Sequence, residues 1–126
     1  MAKTTADRVL DGALNIVKNN DTRLTACSAQ PTNYTEATAT YKLANVTMAS
    51  GDFTAANGDT SGRKLTVAAK TGVLIDANGT ATHIALVDVT GTLLDVVTTC
   101  DAQSLTANGS NTVNFPVWDI EIADPT

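Results

Sequence analysis

The sequence predicts a mainly β, single-domain protein: an antiparallel β-sandwich, jelly-roll-like fold or small barrel carrying one N-terminal amphipathic helix. Three observations predict it. Thr (22 of 126 residues) and Ala (19) dominate while aromatics make up 4%, which suits thin pleated layers with small core residues better than a helical bundle. The apolar residues follow a helical period only at the start of the chain and a period of two afterwards. Short strand-like runs are then punctuated, roughly every 8–15 residues, by Gly/Asn turns.

The helix comes first, over about residues 4–19. Thr4 reads as its N-cap, and Asp7 places a favourable charge in the first turn. Ala6, Val9, Leu10, Ala13, Leu14 and Val17 recur at three-and-four spacing, and Asn19-Asn20-Asp21 ends the run with turn formers. Gly12 in its middle either costs up to about 1 kcal/mol relative to Ala or permits close approach of a neighbour.

Strands occupy about residues 22–122. Thr22–Ser28 alternates, with Leu24 and Ala26 on one face and Arg23, Thr25 and Cys27 on the other. Residues 30–40 form a loop or one short helical turn. Strands follow at Tyr41–Met48 and Asp52–Ala55, then turn material from Asn57 to Gly62, then a strand from Arg63 to Lys70. Val73–Asp76 and Thr80–Asp88 read as a hairpin about Asn78-Gly79. A tight connection at Val89–Thr92 leads into Leu93–Thr99, and Asn108–Asn111 turns the chain into a last strand, Thr112–Ile122. Pro116 within that strand lacks an amide donor, so it belongs at an edge, a bend or a bulge. No internal repeat and no linker divides the chain, so residues 1–126 are expected to form one domain.

Charge is unevenly spread. All eight Lys and Arg lie in the first 70 residues, which hold six acids; the last 56 hold seven acids and no Lys or Arg. Folding can mix the two halves, or it can leave an acidic surface for a basic partner, which would speed and orient docking. Without a clustered basic stripe or neighbouring aromatics, no nucleic-acid partner is expected. No apolar run reaches the roughly 18–20 residues of a spanning helix, so no membrane partner is expected either. The opening MAKTTADRV has no apolar signal core, which implies synthesis and retention in a reducing cytoplasm. Cys27 and Cys100 share no CxxC spacing and read as free thiols; a disulfide between them would require neighbouring strands.

Candidate chemistry is sparse. His83, the single histidine, sits on a strand with Ala81, Ala85 and Val87 on its face, and no Ser or Cys motif accompanies it. The Asp76–Thr80 loop resembles a calcium loop only superficially, since its Gly falls at the fourth position and position twelve is Val87. Asp119 and Glu121 share a strand face, yet five aromatics are too few to suggest sugar stacking. The expectation is therefore a protein that is not an enzyme, with no catalytic residues, no cofactor and no metal. Phe115, Val117, Trp118 and Ile120 form the heaviest apolar cluster, serving as core or as an anchor at a protein contact. The candidate interface comprises Val9, Leu10, Leu14 and Val17 on the helix with Phe115, Trp118 and Ile120 on the last strand.

The segments Ala6–Asp11, Cys27–Thr32, Tyr34–Thr38 and Ala81–Asp88 resemble those of small tailed-bacteriophage virion proteins, some of whose structural relatives are head decoration, or cementing, proteins. The resemblance covers most of the chain. It implies a non-enzymatic structural protein, made in the bacterial host cytoplasm, that binds the outer surface of the phage major capsid protein and itself, as a dimer or trimer. Its place would be the capsid exterior of the virion, where it stabilises the shell. A tail or neck adaptor role comes second, and a carbohydrate- or receptor-binding β module third.

Overall fold

The computed structural model describes residues 3–126. The chain forms α1 (Asp7–Asn20), β1 (Arg23–Cys27), a π-helical turn (Glu36–Thr40), β2 (Lys42–Thr47), a 3-10 turn (Ser50–Asp52), β3 (Phe53–Asn57), β4 (Arg63–Val67), β5 (Lys70–Leu74), β6 (Gly79–Asp88), β7 (Leu93–Leu105), β8 (Thr112–Phe115) and β9 (Trp118–Ile122). Every strand pair is antiparallel, in sheets ordered β2-β1-β6-β7, β3-β4-β9 and β5-β8. The mainly β, sandwich-like fold with one N-terminal helix is thus as expected.

Apolar residues from all three sheets and the helix meet in one core. Leu14 and Val17 of α1, Leu24 of β1, Leu86 of β6, Phe53 of β3, Leu65 and Val67 of β4, Val73 of β5 and Phe115 of β8 belong to it. The alternation read in β1 holds: Leu24 and Ala26 face this core, while Thr25 and Cys27 are buried on the reverse side. That side is closed by the π-helical turn, whose Ala37 packs with Ala85 and Val87 and with half-buried Tyr34. Asn33 Oδ1 accepts from Glu36 N at 2.9 Å and Glu36 Oε1 accepts from Thr32 N at 2.8 Å, so two side-chain bonds start the turn. The central strand is therefore covered on both faces.

Four features differ from the sequence reading. The helix starts at Asp7 after Ala6, and Thr4 is not its cap. The preceding segment is held against the C-terminus instead: Lys3 Nζ donates to Thr126 O at 2.9 Å and Thr5 N to Asp124 Oδ1 at 3.2 Å.

The expected hairpin about Asn78-Gly79 does not form, because β5 pairs with β8 and β6 pairs with β1 and β7. Asp76 N donates to Leu43 O at 2.7 Å, and Asn78 Oδ1 accepts from Ala107 N at 2.7 Å. These bonds carry the connection from one sheet to the other. The last strand is two strands: Pro116 and Val117 separate β8 in one sheet from β9 in another. A proline cannot donate to the ladder, and the chain changes sheet where the donor is missing.

The Val89–Thr92 hairpin is present, but β7 runs to Leu105 rather than Thr99. Its register to β6 shifts twice, between Ala81 and His83 and between Leu86 and Val87. The first shift brings Ala81 to the main core beside Ile84, away from the Ala85–Val87 side where strict alternation would place it.

Candidate docking surfaces

The titratable side chains singled out in sequence are engaged by structural partners. His83 is half-buried on β6 opposite Cys27, and its Nδ1 lies 2.8 Å from Thr82 Oγ1. Asp76 pairs with Lys42 at 3.4 Å and accepts from Asn45 Nδ2 at 2.9 Å, so its carboxylate ties the loop to β2. Asp119 accepts from Thr66 Oγ1 at 2.7 Å and pairs with Lys64 at 3.2 Å. The Thr66 bond, followed by the Lys64 bond and charge, holds its carboxyl below the usual range. Glu121 accepts from the Asp59 amide. No group of three or more His, Cys, Asp and Glu with metal-ligating geometry occurs among the described residues.

Cys27 and Cys100 are free. Cys27 lies on the reverse side of its sheet, where Sγ donates to Ala37 O at 3.6 Å, whereas Cys100 packs against the main core. The sheet separates the two thiols, and burial is the leading cause that pushes each above its ordinary value.

The seven candidate interface residues divide sharply. Leu10, Leu14, Val17 and Phe115 are buried within the chain itself, where they hold the fold. Trp118 and Ile120 are half-buried against the same core, on edge strand β9. Val9 is 55% exposed, and Ile16, which sequence reading passed over, is 56% exposed. α1 thus carries two apolar stripes: Leu10, Leu14 and Val17 inward, and Val9, Gly12, Ala13 and Ile16 outward. The outer set follows the same i, i+3, i+4, i+7 spacing, so the signal was present in the sequence.

A second exposed element is β7. It is the edge of the four-stranded sheet, and most of its residues face solvent, including Leu93, Asp95 and Asp101. Four of the eight bases, Lys42, Arg63, Lys64 and Lys70, pair with Asp76, Asp11, Asp59, Asp119 and Asp52. Asp88, Asp95 and Asp101 on the β6–β7 hairpin take part in none of those pairs. Folding therefore mixes the charged halves only in part and leaves this hairpin acidic. Between β7 and β8 a cleft of about 650 Å³ opens over Ala81, Ile84, Leu105 and Phe115, with Asp101 and Asn114 among its polar walls.

Compared with models of protein families, with curated proteins and with solved structures, the chain matches none.

Proposed function

We propose that this chain is a non-enzymatic phage virion structural protein: a head decoration, or cementing, protein on the capsid exterior. In this reading it binds the outer surface of the major capsid protein and its own copies, stabilises the shell, and is made in the host cytoplasm. The carrying observation is the acidic edge strand: β7 offers unpaired backbone groups along one side together with Asp95 and Asp101, free of Lys and Arg partners. Such an edge suits strand-to-strand or charge-guided attachment to a basic protein surface. The outward stripe of Val9 and Ile16 offers a second, apolar contact for a capsid subunit or a neighbouring copy. Resemblance of the segments quoted above to phage virion proteins supplies the partner.

The test is co-sedimentation of the purified protein with capsid shells that lack it. Saturable binding that weakens as salt rises, and that is reduced by Asp95→Lys and Asp101→Lys together, is expected. Failure to bind shells, with binding to tail or neck assemblies, would replace the head reading by an adaptor role. The β7–β8 cleft favours a small-ligand module as the next reading, although Phe115 is the one aromatic lining it. A glycan array free of binders would dismiss that reading.

A further inference from the structure

Asp21 is the one acidic side chain buried among the described residues: it is 1% exposed, and neither carboxyl oxygen has a hydrogen-bond donor. It follows α1 directly, and its amide donates to Val17 O at 3.0 Å. The free carbonyls of a helix C-terminus present partial negative charge, so a carboxylate there is opposed by the helix as well as by burial.

The side chain that meets it is Asp95 of β7. Asp95 is the residue the ladder skips, since the register passes from Leu86↔Val96 to Val87↔Leu94. A β-bulge re-aims side chains, and this one brings a second carboxyl against the first. The neighbouring charged groups are Asp88 at the end of β6, Lys18 in the last turn of α1 and Arg23 at the start of β1. None of the ion pairs among the described residues includes Asp21, and Arg23 Nε is itself buried without an acceptor. Two ionised carboxylates offer acceptors only, so their contact becomes a hydrogen bond only when one of them carries a proton.

We propose that a proton held on Asp21 bridges to Asp95 and latches the C-terminal end of α1 to the bulge in β7, and that its loss loosens this corner. Both ends of the latch lie on the elements with the exposed stripe and the acidic edge, so the proton couples the two surfaces. Burial first, then the Asp95 bond and the charges of Asp95 and Asp88, raise the Asp21 carboxyl from 3.8 to about 8. The proton therefore stays in place at neutral pH.

Carboxyl-carbon NMR on uniformly labelled protein tests this directly. One aspartate resonance should titrate with a midpoint near 8 and vanish in Asp21→Asn. In Asp95→Asn, an exposed position that should tolerate change, the midpoint should fall by about one unit or more as the neighbouring charge is removed. Amide exchange, corrected for base catalysis, should speed by about tenfold or more at Asp21, Thr22 and Leu94–Val96 above the midpoint in wild type only. All aspartates titrating in the ordinary carboxylate range would overturn the bridging proton. Exchange rates unchanged across the midpoint would overturn the latch. Should Asp21→Asn fail to fold, the wild-type titration and the Asp95→Asn shift decide alone.

Discussion

Arg63 Nε donates to Asp11 Oδ1 at 2.8 Å, joining the first strand residue of β4 to the middle of α1. The same guanidinium donates through Nη1 to Asn57 Oδ1 at 2.7 Å, so one side chain spans the helix and the β3–β4 pair. Beside this polar tie lies the inner apolar stripe, and the two together fix the helix over the three-stranded sheet. Asp11→Ala should lower the thermal midpoint, by less than any truncation of Leu10, Leu14 or Val17. The difference should shrink at high salt, as befits a partly exposed ion pair; an equal loss at all salt concentrations would show that packing carries the contact.

The two stripes of α1 should separate folding from association. Leu14→Ala removes a fully enclosed side chain and should cost about 2–5 kcal/mol by chemical denaturation. Ile16→Ser lies on the exposed stripe and should change monomer stability by no more than about 0.5 kcal/mol. In the decoration reading the serine variant should nonetheless bind shells, or its own copies, more weakly. Unchanged sedimentation behaviour would remove α1 from the docking surface.

Trp118 packs against the main core, pairs with Val67 of β4, and holds its indole Nε1 buried without an acceptor. Truncation to Ala should cost about 2–4 kcal/mol through lost packing. Trp118→Phe keeps most of the ring area and removes the orphaned donor, so it should be neutral or stabilising by about 1 kcal/mol. A loss with Phe as large as with Ala would mean the indole nitrogen is bonded in solution.

Stability should respond to pH with a sign set by Asp21. Its folded value of about 8 lies above the unfolded value near 3.8, so the folded state holds a proton that the unfolded state has released. The group's contribution is then fully present below about pH 4 and is lost as pH rises towards the folded value near 8. Asp52 and Asp119, both held below the usual range, contribute in the opposite sense and lose their share as pH falls into the acid range. Asp52 is lowered first by the Ala49 amide bond and then by Lys70, Asp119 first by Thr66. Denaturation from pH 5 to 8, where these two stay ionised, should show the decline in wild type and lose it in Asp21→Asn. A flat wild-type profile over that window would contradict the assignment.

How much of this could be read in the sequence follows from the range of the interactions. The inner helix stripe, the β1 alternation, the Val89–Thr92 turn and the break at Pro116 are local, and each left a local pattern. The β5–β8 pairing is not local: Asn78-Gly79 looks like a hairpin turn, and only the bonds to Leu43 and Ala107 divert the chain to another sheet. The end of β7 beyond Thr99 was invisible because Asp101–Ser104 is largely polar, as an exposed edge strand can be. Asp21 read as a helix stop, which it is. Its burial depends on a hairpin more than 60 residues later in the chain, and on a bulge at Asp95 that no alternation signals.

The most direct test of the central proposal is cryo-electron microscopy of the tailed-phage particles to which the proposal assigns this chain. The decoration reading predicts regular copies on the outer shell, at local symmetry axes or between capsomers, with β7 or the outer face of α1 against the capsid. Density confined to the tail or neck, or absent from the particle, would contradict it.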